Sequence, residues 1–440
     1  MTWMIGKCSK RLPVWRKVNG TFSAKRARLP AASLFTDFET GTIIFIPAPL
    51  FTLIMDRTAA AGLAREFMED FARTTGLDPP GSQPQRYLWT DAFAVCNYLG
   101  FFQETGDPVF RELALRLISQ VHHTLGRYRD DDRRAGWISG LVPEEGELHP
   151  TIGGLRIGKS LRERRAGEPY DEQQEWDRDG QYYHYLTKWM HALTRAGRVT
   201  GDPVYIGWAV ELARTAHSRF TYRSNGRKRM YWKMSTDLSR QMVPSMGQHD
   251  PLDGLVTYAE LQLEAGGAGQ PHVLVQEITD MAEMVRGMPL ATGDPLGIGG
   301  LLSDASRIAR LTIHGIPLPP GLLESVTASA LDGLGEFSRT RCLELPARYR
   351  LAFRELGLSI GLAGIEQLPA WIEEKPRLFG KPGALLHLTE ALEKYLPLKE
   401  TIAEFWLDEE NRASGTWTEH REINTVMLAT SLAPGGFLEI

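Results

Sequence analysis

Acids, histidines and tryptophans collect at a few places in this 440-residue chain, each where a helical pattern begins. The densest group is Glu175, Trp176, Asp177 and Asp179, with His184 about one helical turn further on. Arg86, Tyr87, Trp89 and Asp91 form a second group, and Gln248, His249, Asp250 and Asp253 a third. A late group holds Trp417, Glu419, His420, Arg421 and Glu422. Two carboxyl groups facing each other across a sugar ring are the requirement for glycosidic-bond cleavage, one as acid and one as base or nucleophile. Imidazoles, which titrate near neutrality, instead suit moving a proton off and onto a carbon beside a carbonyl. Indole faces suit the C–H faces of pyranose rings, so Trp89, Trp176 and Trp417 are expected to form a platform.

Helices must position these groups. Tyr182, Tyr185, Leu186, Trp189 and Leu193 recur at three- and four-residue spacing, and Asp179 stands where a cap for that helix is expected. Helical periodicity or composition continues through 58–75, 87–102, 108–126, 181–197, 203–220, 250–265, 271–287, 296–314, 319–338, 349–367, 383–395 and 420–432. The segment 383–395 has the option of running on past Pro397 towards 410. After residue 55 almost no alternating strand pattern occurs, so the body reads as all-α. Thr105-Gly106-Asp107-Pro108 and Thr200-Gly201-Asp202-Pro203 are tight helix–helix turns: Gly ends one helix, Asp caps the next and Pro opens it. The other connections (76–86, 127–180, 221–249, 289–295, 339–348 and 411–419) are longer or richer, and each leads into a helix apolar nearly all round. Six inner helices with six more amphipathic outer partners then make a closed ring, with the chemistry-bearing loops on one rim.

This pattern resembles the six-hairpin, or (α/α)6 toroid, superfamily of glycosidases and N-acylglucosamine 2-epimerase-like enzymes over about residues 58–432. The resemblance lies in helix number, loop asymmetry and the aromatic and acidic rim. It implies an all-α (α/α)6 barrel that binds a small sugar or oligosaccharide, with a glycoside hydrolase as the leading reading and Glu175 and Asp250 as candidate acid and base. Asp91, Asp177, His184 and Arg421 join the three tryptophans as candidate substrate contacts. The epimerase branch works with histidines, and Trp417 to Arg421 is similar to its late Trp…His…Arg segment. That gives a second reading, a sugar epimerase or isomerase using His249 and His420 with His184. A non-catalytic sugar-binding or scaffold protein is the third.

Gly153-Gly154-Leu155-Arg156-Ile157-Gly158-Lys159-Ser160 satisfies the phosphate-loop pattern G-x-x-x-x-G-K-[ST]. A poor strand precedes it and a broken helix follows, so nucleotide hydrolysis is not expected. Arg156, Lys159, Arg162, Arg164 and Arg165 nevertheless leave an anionic sugar substituent as an option, against the simpler reading of an exposed basic loop. No ligand spacing for a metal appears on one helical face, and no cofactor is expected. The net charge of −4 gives no reason to expect nucleic acid or an anionic membrane as partner. Cys8, Cys96 and Cys342 are too few and too scattered for a disulfide framework, which favours a reducing, cytoplasmic setting. The oligomeric state is left open.

The chain divides into an N-terminal extension, 1–54, and one toroid domain, 55–440. Residues 1–28 carry Lys7, Lys10, Arg11, Arg16, Lys17, Lys25, Arg26 and Arg28 without an acid, and the apolar run 42–54 is broken by Pro47 and Pro49. Met55 is therefore expected to be the natural start. Intact-mass measurement on natively expressed protein should give a chain beginning there, and a mass that includes residues 1–54 would overturn this expectation.

Overall fold

The computed structural model describes residues 57–440 except 166, 244, 268, 270 and 271. The expected extension and the start at Met55 lie outside the described residues. Six inner helices, Leu88–Thr105, Tyr183–Thr200, Asp250–Gly267, Pro295–Ile313, Ala352–Gly364 and Arg421–Leu432, each pack against the next, and the last packs against the first. The outer layer is Pro108–Leu125, Pro203–Phe220, Val275–Val285, Leu322–Thr340, Leu398–Leu407 and Arg57–Thr74. The chain is thus an (α/α)6 toroid.

Local chemistry sets the helix ends. Gly106 and Gly201 adopt φ of 73° and 72°, the left-handed conformation that glycine reaches without a Cβ clash. Asp107 and Asp202 each accept from the N–H two residues on, Val109 and Val204, at 3.0 Å. The first inner helix is buried along almost its whole length, as a helix apolar on all sides must be. At the short-turn side the segment Gly435–Leu438 packs against the first and fourth inner helices. Its Phe437 stacks on Phe93 with ring centroids 4.2 Å apart.

Three expectations need correction. The outer partner of the fifth inner helix is Leu398–Leu407, a separate helix; Pro382–Glu393, expected in that place, lies against Leu322–Thr340. Pro397 has no N–H to donate, and it stands at the N-cap of the new helix. The helix 349–367 is shorter than expected, Ala352–Gly364, followed by a second piece, Leu368–Glu374. The rim loops also contain strands. Thr221–Ser224 pairs with Arg227–Met230 through Asn225 and Gly226, both at positive φ, and Gln181–Tyr182, Lys233–Met234 and Gln241–Val243 form a small sheet. The Asn-Gly pair is the sequence mark of such a hairpin, but basic and polar flanks masked it.

The fourth and fifth inner helices touch backbone to backbone. A Cβ added at Gly299 would lie 2.0 Å from the Gly357 carbonyl oxygen, whereas one added at the exposed Gly300 meets nothing within 4 Å. Gly299→Ala should therefore destabilise the fold by about 1–3 kcal/mol in urea unfolding. Gly300→Ala should instead be neutral or stabilise by up to about 1 kcal/mol. Equal effects at the two positions would contradict this packing.

Candidate functional site

Asp250 opens the third inner helix, with its carboxyl among the long loops. The side chain is 6% exposed and its Oδ1 lies 3.7 Å from His184 Nδ1 on the second inner helix. That separation is too long for a direct hydrogen bond, and both Asp250 Oδ2 and His184 Nδ1 are buried without a partner. Burial and the neighbouring Asp253 charge push the Asp250 pKa up to about 8. The His184 ring stacks on Tyr182 at 5.3 Å and meets the edge of Tyr185 at 4.8 Å. Burial lowers its pKa, although 31% of the side chain remains open and solvent moderates the effect. A carboxylic acid and a neutral imidazole therefore face each other at neutral pH.

A charged network continues below them through the second, third and fourth inner helices. Asp253 accepts from Lys188 Nζ at 2.6 Å and from Thr187 Oγ1 at 2.5 Å, and stands 3.9 Å from Arg307. Burial works against ionisation of Asp253, but Lys188 and Arg307 outweigh it and hold the pKa below the usual carboxylate range. Arg307 also contacts Asp304 at 3.3 Å and Glu260 at 2.5 Å. Glu260 in turn lies 2.9 Å from His191 Nδ1, whose Nε2 meets the Phe437 carbonyl at 2.8 Å. Burial and the Asp253 charge raise Asp304 to about 6. Against burial, His191 and Arg307 keep Glu260 well below its ordinary value. At 1.5 Å per residue, Asp250 to Glu260 covers roughly 15 Å of helix, so the network runs from the loop rim towards the C-terminal segment.

The expected site residues separate into those near this centre and those held elsewhere. Asp250 and His184 come together. Trp176 is half-buried, stacks on Tyr182 and meets Trp232 at 4.8 Å, giving an aromatic wall that continues through Tyr182 to His184. Asp177 ends the short helix Glu172–Asp177 beside Trp176. Glu175 is fully buried, ion-paired with Arg164 at 2.5 Å, and keeps Oε2 without a partner. Trp89 packs against Phe93 and Tyr185. Asp91 is sealed in a pair with Arg86 at 3.1 Å and accepts from the Tyr87 N–H. His249 Nε2 is bonded to the Leu290 carbonyl at 2.7 Å. His420 packs on Phe353, Trp417 stacks on Trp406, and Arg421 pairs with Asp70 of the outer helix Arg57–Thr74 at 2.8 Å.

Asp179 is not the expected cap. The N-cap position is Tyr182, and the Asp179 carboxylate instead accepts from Arg156 at 2.6 Å and from the N–H groups of Gly158 and Lys159 at 3.0 and 3.3 Å. The phosphate-loop look-alike thus wraps a carboxylate of its own chain. Lys159 and the sealed Lys233 lie 5.3 and 5.0 Å from the Tyr182 ring. Burial lowers their pKa values to about 8 and about 7. Lys233 donates to the carbonyls of Glu175 and Arg178 at 2.5 Å, pinning the loop.

Sequence reasoning missed Lys188, His191, Glu260, Asp304 and Arg307. A signal existed: His184, Lys188 and His191, and separately Asp250, Asp253 and Glu260, recur at helical spacing in otherwise apolar helices.

No family profile and no curated protein sequence matches the chain. A comparison with solved structures gives distant likenesses. A cellobiose 2-epimerase from Spirochaeta thermophila is 13% identical with a TM-score of 0.44, covering 85% of this chain and 98% of its own. A D-mannose isomerase is 12% identical with a TM-score of 0.49, covering 87% and 99%. An α-mannanase from Bacteroides thetaiotaomicron is 8% identical with a TM-score of 0.49, covering 88% and 100%. The (α/α)6 assignment rests on the helix pairing itself and not on these likenesses.

Proposed function

We propose that this chain is a carbohydrate-active enzyme in which Asp250 is the proton donor and His184 the proton acceptor. The observation that carries the reading is the facing pair itself: a buried carboxyl whose pKa is raised to about 8, 3.7 Å from an imidazole nitrogen, with neither group satisfied by the protein. An acid and a base at one place, each in the protonation state its role requires at neutral pH, are what proton transfer beside a carbonyl needs. The wall formed by Trp176, Tyr182 and Tyr185 suits a sugar face. Sugar isomerisation or epimerisation is therefore the favoured reaction, with His184 taking the proton from carbon and Asp250 protonating the carbonyl oxygen. In this reading the histidine role falls to His184; His249 is tied to the Leu290 carbonyl and His420 packs on Phe353.

Hydrolysis by Asp250 and Glu175 is the second reading, and the free Oε2 of Glu175 is the observation in its favour. Glycosidases need carboxyl groups about 5–9.5 Å apart with a sugar between them, and Glu175 is sealed against Arg164. In that case Asp250 takes the acid role, the reverse of the sequence expectation.

Reducing sugars and oligosaccharides incubated with the protein in heavy water separate these readings. Isomerisation predicts sugar interconversion with exchange at the carbon beside the carbonyl. His184→Asn or Asp250→Asn should lower it by roughly 10²–10⁴-fold while binding persists. Release of new reducing ends without exchange would sink the isomerase reading, and no turnover on either class would sink the enzyme.

The raised Asp250 pKa also has a pH consequence. An acid whose folded pKa exceeds its unfolded value of 3.8 stabilises the fold at low pH and loses that contribution as pH rises through about 8. Wild type should lose stability relative to Asp250→Asn between about pH 4 and pH 8 in urea unfolding, and turnover should fall above about pH 8. Parallel stability curves for the two proteins would contradict the assignment.

A further inference from the structure

Away from the Asp250 centre, the loop segments 131–134, 162–165 and 235–240 enclose a cavity of about 390 Å³ lined by six arginines and four acids. The acids are already answered. Arg134 spans Asp132 and Asp237, each at 2.8 Å, and also Glu163, while Asp131 pairs with Arg129 at 2.7 Å. Arg162 and Arg164 pair with Glu168 and Glu175, carboxylates that are not on the cavity wall. Among the described residues, the guanidiniums of Arg133, Arg165 and Arg240 pair with no carboxylate, and Arg165 meets Glu168 only through its backbone N–H, at 3.1 Å. Arg240 Nη2 donates to the Arg164 carbonyl at 2.9 Å, but its Nη1 is buried with no acceptor. A hidden guanidinium nitrogen without an acceptor is costly, and six arginines against four acids leave the wall net positive by two, which favours an anion.

We propose that this cavity binds a small oxyanion group, a phosphate monoester or a sugar carboxylate, held by Arg133, Arg165 and Arg240. The planar guanidinium fork matches both groups, which a point charge does not. A second cavity of about 440 Å³ shares Asp132, Arg133 and Arg134 on its wall, and gives room for the organic body that carries the anion. The site shares no lining residue with the Asp250 and His184 pair, and it stands whichever reaction that pair performs.

Isothermal titration calorimetry on the full chain tests the site, with inorganic phosphate and glucuronate in separate titrations at constant ionic strength. One saturable site per chain is expected. Arg133→Ala and Arg165→Ala should each weaken binding by about 10-fold. Arg229→Ala, which removes an exposed arginine from the Asn225–Gly226 hairpin, should leave it unchanged. Heat with phosphate alone assigns a phosphate group, heat with glucuronate alone assigns a carboxylate, and heat with both assigns a broad oxyanion site. Absence of saturable heat from either anion, or binding that survives both cavity substitutions, overturns the proposal.

Discussion

Arg307 is the interaction on which the interior depends. One guanidinium, sealed between the third and fourth inner helices, faces Asp253, Glu260 and Asp304 and donates to Thr257 Oγ1 at 3.2 Å. Burying one cation among three carboxyl groups cannot keep all three ionised without further help, because desolvation favours the neutral form of each. Lys188 and His191 supply that help to Asp253 and Glu260. Asp304 receives less and its pKa rises. Asp250 has no close cation of its own and lies within the field of Asp253, so its proton is held most firmly. The acid at the rim is thus set first by its burial and then by the Asp253 charge one helical turn below it.

The loop layer obeys the same constraint in a different form. A long glycine-broken connection can stay ordered only if its backbone groups find partners, and here two buried polar side chains provide them. Asp179 gathers N–H groups of the 153–160 segment, and Lys233 gathers two carbonyls of 172–178. Together they hold Trp176 and Tyr182 beside His184. The resemblance of 153–160 to a phosphate loop is physically apt, since its amides do cradle an anion, but that anion is an internal carboxylate.

Much of the architecture could be read from the sequence because it depends on local rules. The Gly-Asp-Pro turns, the apolar inner helices and the unequal connections follow from backbone sterics, capping and periodicity, each visible within a few residues. Around Pro397 the local signal named a boundary without saying which helix would take the outer place, which long-range packing decides. Asp250 and His184 were legible as rim residues from their helix-terminal positions. Their pairing was not, since it depends on the second and third inner helices packing side by side, nor was the burial of Glu175 behind Arg164, since that depends on the loop folding back on itself. The network around Arg307 was hidden for another reason. Charges within apolar helices make no motif when each helix is read alone, and they gain meaning only once neighbouring helices are set side by side.

Ring closure has a consequence for the order in which the protein is made. The helix Arg57–Thr74 packs on Arg421–Leu432, and the Asp70–Arg421 pair joins residues 351 positions apart. During synthesis at about 5–20 residues per second, the first of these helices leaves the ribosome tens of seconds before its partner exists. Its apolar face must wait uncovered, or under a chaperone, while the intervening hairpins assemble. Until Arg421–Leu432 has been made the toroid is an open arc, and the contact that closes the ring is the last the chain makes available.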